Sequence, residues 1–170
     1  MRKLILFAIS IALLLSGCVS SDRTGNFQIY LKDQPIDIDN AEKILVTISE
    51  ISVQKEDESF LTIWPGGKTY DLLKLRSQEE KILEITLAEG TYTQIRLVVT
   101  EGQIVITGES NEMVVPSSEV KIPLVFNIME DGTTEILFDF EAEHSIHVVN
   151  AGQSEQCILR PVIRVENITY

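Results

Sequence analysis

Period two dominates the chain from Phe27 onward. Phe27, Ile29 and Leu31 alternate with Gln28, Tyr30 and Lys32, the pattern of a strand with one buried face. Ile44, Val46 and Ile48 share a face, but beyond Glu50 the apolar positions become Ile51 and Val53. A one-residue slip in a period-two pattern predicts a β-bulge near Ser49-Glu50. The apolar run 60–64 stops at Pro65-Gly66-Gly67. Further runs at 72–75, 82–87, 95–99, 104–107, 113–115, 120–128, 136–140 and 158–165 read as strands. Turn signals lie at Glu89-Gly90, Glu101-Gly102, Gly108 to Asn111, Asp131-Gly132 and Ala151-Gly152. Many short strands at regular spacing predict an all-β, antiparallel β-sandwich. Beyond the N-terminal segment, the one helical turn expected lies around Ser77 to Lys81.

The N-terminal segment breaks the alternation. Met1-Arg2-Lys3 is basic, and the twelve residues Leu4 to Leu15 are apolar apart from Ser10. A membrane-spanning helix needs about 20 such residues, whereas the apolar region of a secretory signal runs about 7–15. Leu15-Ser16-Gly17-Cys18 follows and resembles the lipobox of prokaryotic lipoproteins. That resemblance implies a diacylglycerol on the Cys18 thiol and cleavage just before it. Each buried CH₂ contributes about 0.8 kcal/mol, so two or more acyl chains anchor stably. The expected organisation is a signal peptide (1–17), a lipidated cysteine with a short tether (18–25), and one domain (26–170). The tether from Val19 to Gly25 reaches on the order of 15 Å as a coil.

Charge and cysteine usage narrow the classes. The 170 residues hold 14 Lys and Arg against 26 Asp and Glu, a net charge of −12. Removing Arg2 and Lys3 with the signal leaves 12 − 26 = −14. An acidic body repels phosphate backbones, so no nucleic-acid partner is expected. Lipidation of Cys18 leaves Cys157 alone, either buried as a small apolar residue or reactive. A strand from Cys157 to Val165 would put Cys157, Leu159, Pro161, Ile163 and Val165 on one apolar face. Arg160 and Arg164 would take the other, so burial of Cys157 is expected. Pro161 cannot donate a ladder hydrogen bond, which predicts a sheet edge or a bulge there.

Several segments share an order with a known family. They are Gln28 to Asp37, with its Asp33-Gln34-Pro35 turn, then Val46 to Val53 and Tyr70-Asp71-Leu72-Leu73. Gly90-Thr91-Tyr92-Thr93-Gln94-Ile95-Arg96-Leu97, Phe138-Asp139-Phe140 and Leu159-Arg160-Pro161-Val162-Ile163 follow. Together they resemble the prokaryotic lipoprotein family that carries domain of unknown function 4382, from about Asn26 to Val165. The resemblance implies export, lipid anchoring and a β-sandwich similar to prealbumin-type domains. It implies no activity and no functional residue.

Candidate chemistry is sparse. Pro65-Gly66-Gly67-Lys68-Thr69 ends like a phosphate-binding loop, but the first glycine of that motif falls on Thr62, and no helix is expected to follow. Ser118 and Lys121 match the Ser-x-x-Lys of penicillin-binding enzymes. On a strand, however, residues three apart face opposite ways, and this also separates His144 from His147. Ile136, Phe138, Phe140, Ala142, Ile146 and Val148 are expected on one face of a continuous alternating run. Asp139, Glu141, Glu143 and His147 would share the other, as a solvated face or as carboxylates converging on a divalent cation. Asp33, Asp37 and Asp39 crowd the first long loop. They are the candidate ligands for Ca²⁺, which takes 6–8 oxygens, against the alternative of a turn-rich loop bonding its own backbone. Asn167-Ile168-Thr169 is a glycosylation sequon. No cofactor other than Ca²⁺ has a candidate site.

The sequence reading is therefore an exported, lipid-anchored protein of the cell envelope, held to a membrane through Cys18. It is expected to be no enzyme, but a binding or structural module whose partner is a protein or glycan. The alternatives are a divalent-cation-binding envelope domain and an accessory subunit of an envelope complex, with a hydrolase behind them.

Overall fold

The structure, a computed structural model, describes residues 23–33, 41–151 and 154–170. Twelve strands and two single helical turns make up its regular elements there. In order they are β1 (Thr24–Lys32), β2 (Ala41–Lys55), β3 (Phe60–Trp64), β4 (Lys68–Asp71), α1 (Leu72–Leu75), β5 (Glu80–Ala88) and β6 (Gly90–Ile106). They continue with β7 (Glu109–Met113), β8 (Glu119–Ile128), β9 (Thr133–Phe140), α2 (Ala142–Ser145), β10 (Ile146–Ala151), β11 (Ser154–Leu159) and β12 (Ile163–Thr169). One sheet has the order β12-β9-β1-β5. A second has the order β3-β2-β6-β7, with β4 also on β2 and β8 also on β6. The pair β10-β11 forms a ribbon joined to the second sheet by a parallel bridge from Val114 to Ile158. The architecture is the expected all-β sandwich. Its strand ladders are antiparallel except that of β1 with β9, which run parallel.

Alternation decides which side chains enter the core. Phe27, Ile29 and Leu31 of β1 are all fully buried, as are Ile44, Ile51 and Val53 of β2. The predicted slip in β2 is present: Ile48 pairs with Val99 and Glu50 with Val98, leaving Ser49 as the extra residue. Between the sheets, Phe27 stacks on Phe126, and Phe126 on Tyr92, each with ring centroids 5.2 Å apart. Phe27 comes from the first sheet, Phe126 and Tyr92 from the second. Pro123 sits in β8, whose ladder is with β6 alone, an edge position that tolerates a missing donor.

The local reading fails in four places. Residues 72–75 form α1 rather than a strand, and Leu72 and Leu75, three apart, are its buried residues. Asp71 caps that turn by accepting the Leu73 N–H at 3.2 Å, while the expected helix around 77–81 gives way to the start of β5. Glu101-Gly102 is no turn, and β6 runs through it. Gly102 is there for close packing, since a Cβ would lie 2.6 Å from Leu159 Cδ2. The run 136–148 is not one strand, because α2 separates β9 from β10 and Val148 is 61% exposed. Finally, 157–165 is two strands in different sheets, broken around Pro161. Cys157 is half-buried rather than buried, opposite Val148 in the ribbon. The inward set nevertheless holds: Leu159 is fully buried, and Pro161, Ile163 and Val165 are less exposed than their neighbours Arg160, Val162 and Arg164.

The aromatic stack joins the two sheets through fully or nearly fully buried rings. Phe126→Ala should cost about 3–5 kcal/mol, through lost burial and an unfilled cavity. The urea midpoint, at unchanged m-value, measures it.

Candidate functional site

Polar and charged groups concentrate where β1 and β9 end together, because the two strands run parallel with Lys32 opposite Asp139. β1 delivers Asp33 there, just beyond its last ladder residue. Asp33 is 3% exposed. Its Oδ1 accepts the Ala142 N–H at 3.2 Å, its Oδ2 lies 3.9 Å from Arg76 Nε, and its own N–H donates to Leu75 O at 3.3 Å. One carboxylate thus ties β1 to both helical turns. α1 exists locally because Asp71 caps it and also accepts the Ile44 N–H at 3.4 Å. Its two buried leucines then hold Arg76 at the position that meets Asp33.

Asp139 is the second buried carboxylate, 1% exposed, and corrects its expected place on a solvated face. In the ladder it lies between Lys32 of β1 and Arg164 of β12. Those two cations have close partners of their own: Lys32 Nζ is 2.6 Å from Glu166 Oε1, and Arg164 Nη2 is 2.6 Å from Glu141 Oε1. Glu143 and His147 do not continue the Asp139 face, since the chain turns into α2 directly after Glu141. His144 is exposed, with Nδ1 3.9 Å from Glu141 Oε2, and His147 is exposed on β10.

The remaining sequence candidates scatter. Asp37, Asp39 and Cys18 lie outside the described residues, so only Asp33 of the loop carboxylates is placed, already engaged by Ala142 and Arg76. Among the described residues no three His, Cys, Asp or Glu side chains are grouped to hold a metal ion. Asn167 is exposed on β12, its Nδ2 donating to Thr169 Oγ1 at 3.2 Å. Both residues line a groove of about 370 Å³ with Tyr30 and Glu135 on the outer face of the first sheet. Lys68 and Thr69 belong to β4, and Lys68 Nζ binds Glu80 at 2.7 Å. Lys121 stands in β8, 3.2 Å from Glu119.

Two features were not read from the sequence. A groove of about 490 Å³ crosses the outer face of the second sheet, with Thr47, Thr69, Glu101 and Gln103 in its wall. The Thr47 and Thr69 hydroxyls are 2.9 Å apart, and Thr47 also donates to Glu101 at 3.3 Å. These residues stand on three adjacent strands, and strand partnership was the information a single sequence did not carry. The other feature is Tyr70, 2% exposed, whose hydroxyl has no hydrogen-bond partner among the described residues. Burial, helped by the nearby Glu80 charge, pushes its pKa up to about 12. It stays neutral at physiological pH, which removes it as a base. At the surface, the Lys81 ammonium and Asn26 amide hydrogen-bond Glu84 and hold its carboxyl below the usual range.

The chemistry available is that of a polar, hydrogen-bonding surface with internally paired charges. A family model described as a domain of unknown function (DUF4382) matches residues 24–161. No curated protein and no solved structure matches the chain.

Two outcomes are expected from this geometry. Asp33→Ala should destabilise the fold by about 3 kcal/mol, because it strands Arg76 and the Ala142 N–H, which chemical denaturation would read. Tyr70 ionises later in the folded chain than in the unfolded one. Its stabilising contribution is therefore complete below pH 10 and is lost as pH rises through about 12. Tyr70→Phe should flatten the fall in melting temperature over that window while leaving neutral-pH stability equal or higher, since it deletes an unpartnered hydroxyl.

Proposed function

The chain belongs to the DUF4382 family, a membership that assigns a domain but no activity, and from it we propose an exported, lipid-anchored module of the cell envelope that binds rather than catalyses. The observation that carries the reading is Leu15-Ser16-Gly17-Cys18 after a basic start and a twelve-residue apolar stretch. That stretch is too short to span a bilayer but long enough for an export signal. Among the described residues no helix is long and apolar enough to cross a membrane; in this reading the lipid on Cys18 is the attachment. On the family resemblance alone, the sandwich is grouped with prealbumin-type domains.

Binding is favoured over catalysis by how the polar groups are spent. The Thr47, Thr69 and Glu101 side chains of the groove on the second sheet bond one another, and Lys68 and Arg96 face Glu80 and Glu119. A catalytic acid or base needs a group aimed at substrate with a pKa near the working pH. Tyr70, its pKa pushed up to about 12 by burial, is moved away from that range. A protein or glycan partner fits such a surface.

The anchor is tested by fractionation and mass. The wild-type chain should be cleaved before Cys18, carry the acyl mass, and sediment with membranes. Cys18→Ser should leave it unprocessed or soluble. A Cys18→Ser chain that is still cleaved and still sediments with membranes would refute the lipid.

A further inference from the structure

The first described residue enters the sandwich at one defined end. Arg23 O accepts the Glu89 N–H at 2.8 Å, and Thr24 O accepts the Asp131 N–H at 2.9 Å. The Arg23 side chain lies 3.7 Å from both Glu89 and Glu130. The chain is therefore clamped between the β5–β6 and β8–β9 turns. Gly25 fixes the same junction, since a Cβ there would sit 2.2 Å from Met129 O. The β2–β3 turn belongs to this end as well, because Glu56 donates its N–H to Thr91 O at 2.9 Å and Lys55 packs over Gly90.

From there β1 and β9 run side by side to the opposite end. The nine residues of β1 carry them about 30 Å at about 3.3 Å per residue. Asp33, α1 and its following turn lie at that far end. Five residue steps separate Cys18 from Arg23, which reach at most about 18 Å fully extended. The lipid thiol can lie under the three turns but cannot reach the far end.

We propose that the protein stands on the membrane on the end built by the β2–β3, β5–β6 and β8–β9 turns, with the Asp33 and α1 end directed away. This rests on the lipid reading of Cys18. The partner of the lower end is the lipid headgroup layer, and its electrostatics are repulsive. Glu56, Asp57, Glu58, Glu89, Glu130 and Asp131 cluster there against Arg23 and Lys55. On an anionic bilayer, a body of charge −14 is least repelled when only its tethered end is near the surface. Salt screens this over a Debye length of about 8 Å at physiological ionic strength. The gap between domain and bilayer therefore narrows as salt rises, opposite to the behaviour of a polybasic anchor.

The test uses the full, lipid-modified chain in vesicles of phosphatidylglycerol and phosphatidylcholine with an acceptor dye on the headgroups. In a Cys157→Ser background, a donor dye is placed at Glu58→Cys on the lower end or at Ser77→Cys on the far end. Glu130→Cys on the lower end and Glu109→Cys, beside Ile106 at the end of β6 opposite Gly90, form a second pair, in case either of the first disturbs folding. Flotation comes first: a chain that fails to float with vesicles overturns the lipid reading and the orientation with it. For floating protein, transfer should be several-fold higher at Glu58 than at Ser77, and should rise at Glu58 as salt is added. Equal transfer at both ends, or higher transfer at Ser77, would overturn the orientation while leaving the anchor intact.

Discussion

The rest of the molecule depends on closing two sheets over the side chains of β1. That strand is flanked by β9 on one side and β5 on the other, and its inward residues Phe27, Ile29 and Leu31 have no solvent exposure. The Phe27–Phe126–Tyr92 stack carries the contact across to the second sheet. Offset ring pairs add about 0.5–1.5 kcal/mol beyond the area they bury. Burial of this kind is non-directional, so the register has to be fixed elsewhere. The Ser49 bulge does part of this, turning β2 so that Ile48 and Ile51, three apart, are both buried against the same core.

Closure explains what the sequence revealed and what it hid. The bulge was legible because it leaves a trace along one strand, a slip in a period of two. The two-sheet class was legible because inward faces are apolar on nearly every strand. α1 was hidden because four residues with three leucines fit a strand as well as a turn. The informative residue was Asp71, a good helix cap, directly before that run. The strand break after Phe140 was hidden because Ala142 is buried in α2 as it would have been in a strand. The continuity of β6 through Gly102 was hidden for a different reason. A glycine in a strand signals either a turn or a close approach, and the approaching Leu159 comes from 57 residues later in the chain (159 − 102).

The same logic applies to the polar groups. Alternation assigned Asp139 to an outward face, but an outward residue is solvated only where nothing covers it. Its ladder neighbours Lys32 and Arg164 supply long side chains that can lie across it, and it ends at 1% exposure. Asp33 looked like one oxygen among many in an acidic loop. Its role became visible only with the positions of Ala142 and Arg76, far from it in sequence. Single-sequence reasoning detects oxygen-rich loops but cannot tell a carboxylate offered to solvent from one engaged by a distant N–H.

Buried carboxylates at one end and exposed ones at the other give the domain a direction. At the Asp33 end, carboxylates cross-link elements, and removing a partner from a buried pair costs several kcal/mol. At the Arg23 end, carboxylates sit on exposed turns, where pairs such as Arg23 with Glu89 and Glu130 are worth about 1 kcal/mol or less. The chain's point of entry is therefore held less by its salt bridges than by backbone hydrogen bonds: Glu89 to Arg23, Asp131 to Thr24 and Asn26 to Gly132. Those bonds survive changes of pH and salt that would dissolve the surface pairs. A pull on the chain at Arg23 would thus load two turns at once, β5–β6 and β8–β9, each of which connects the two sheets. Force entering there is shared between the sheets instead of peeling β1 away from either neighbour.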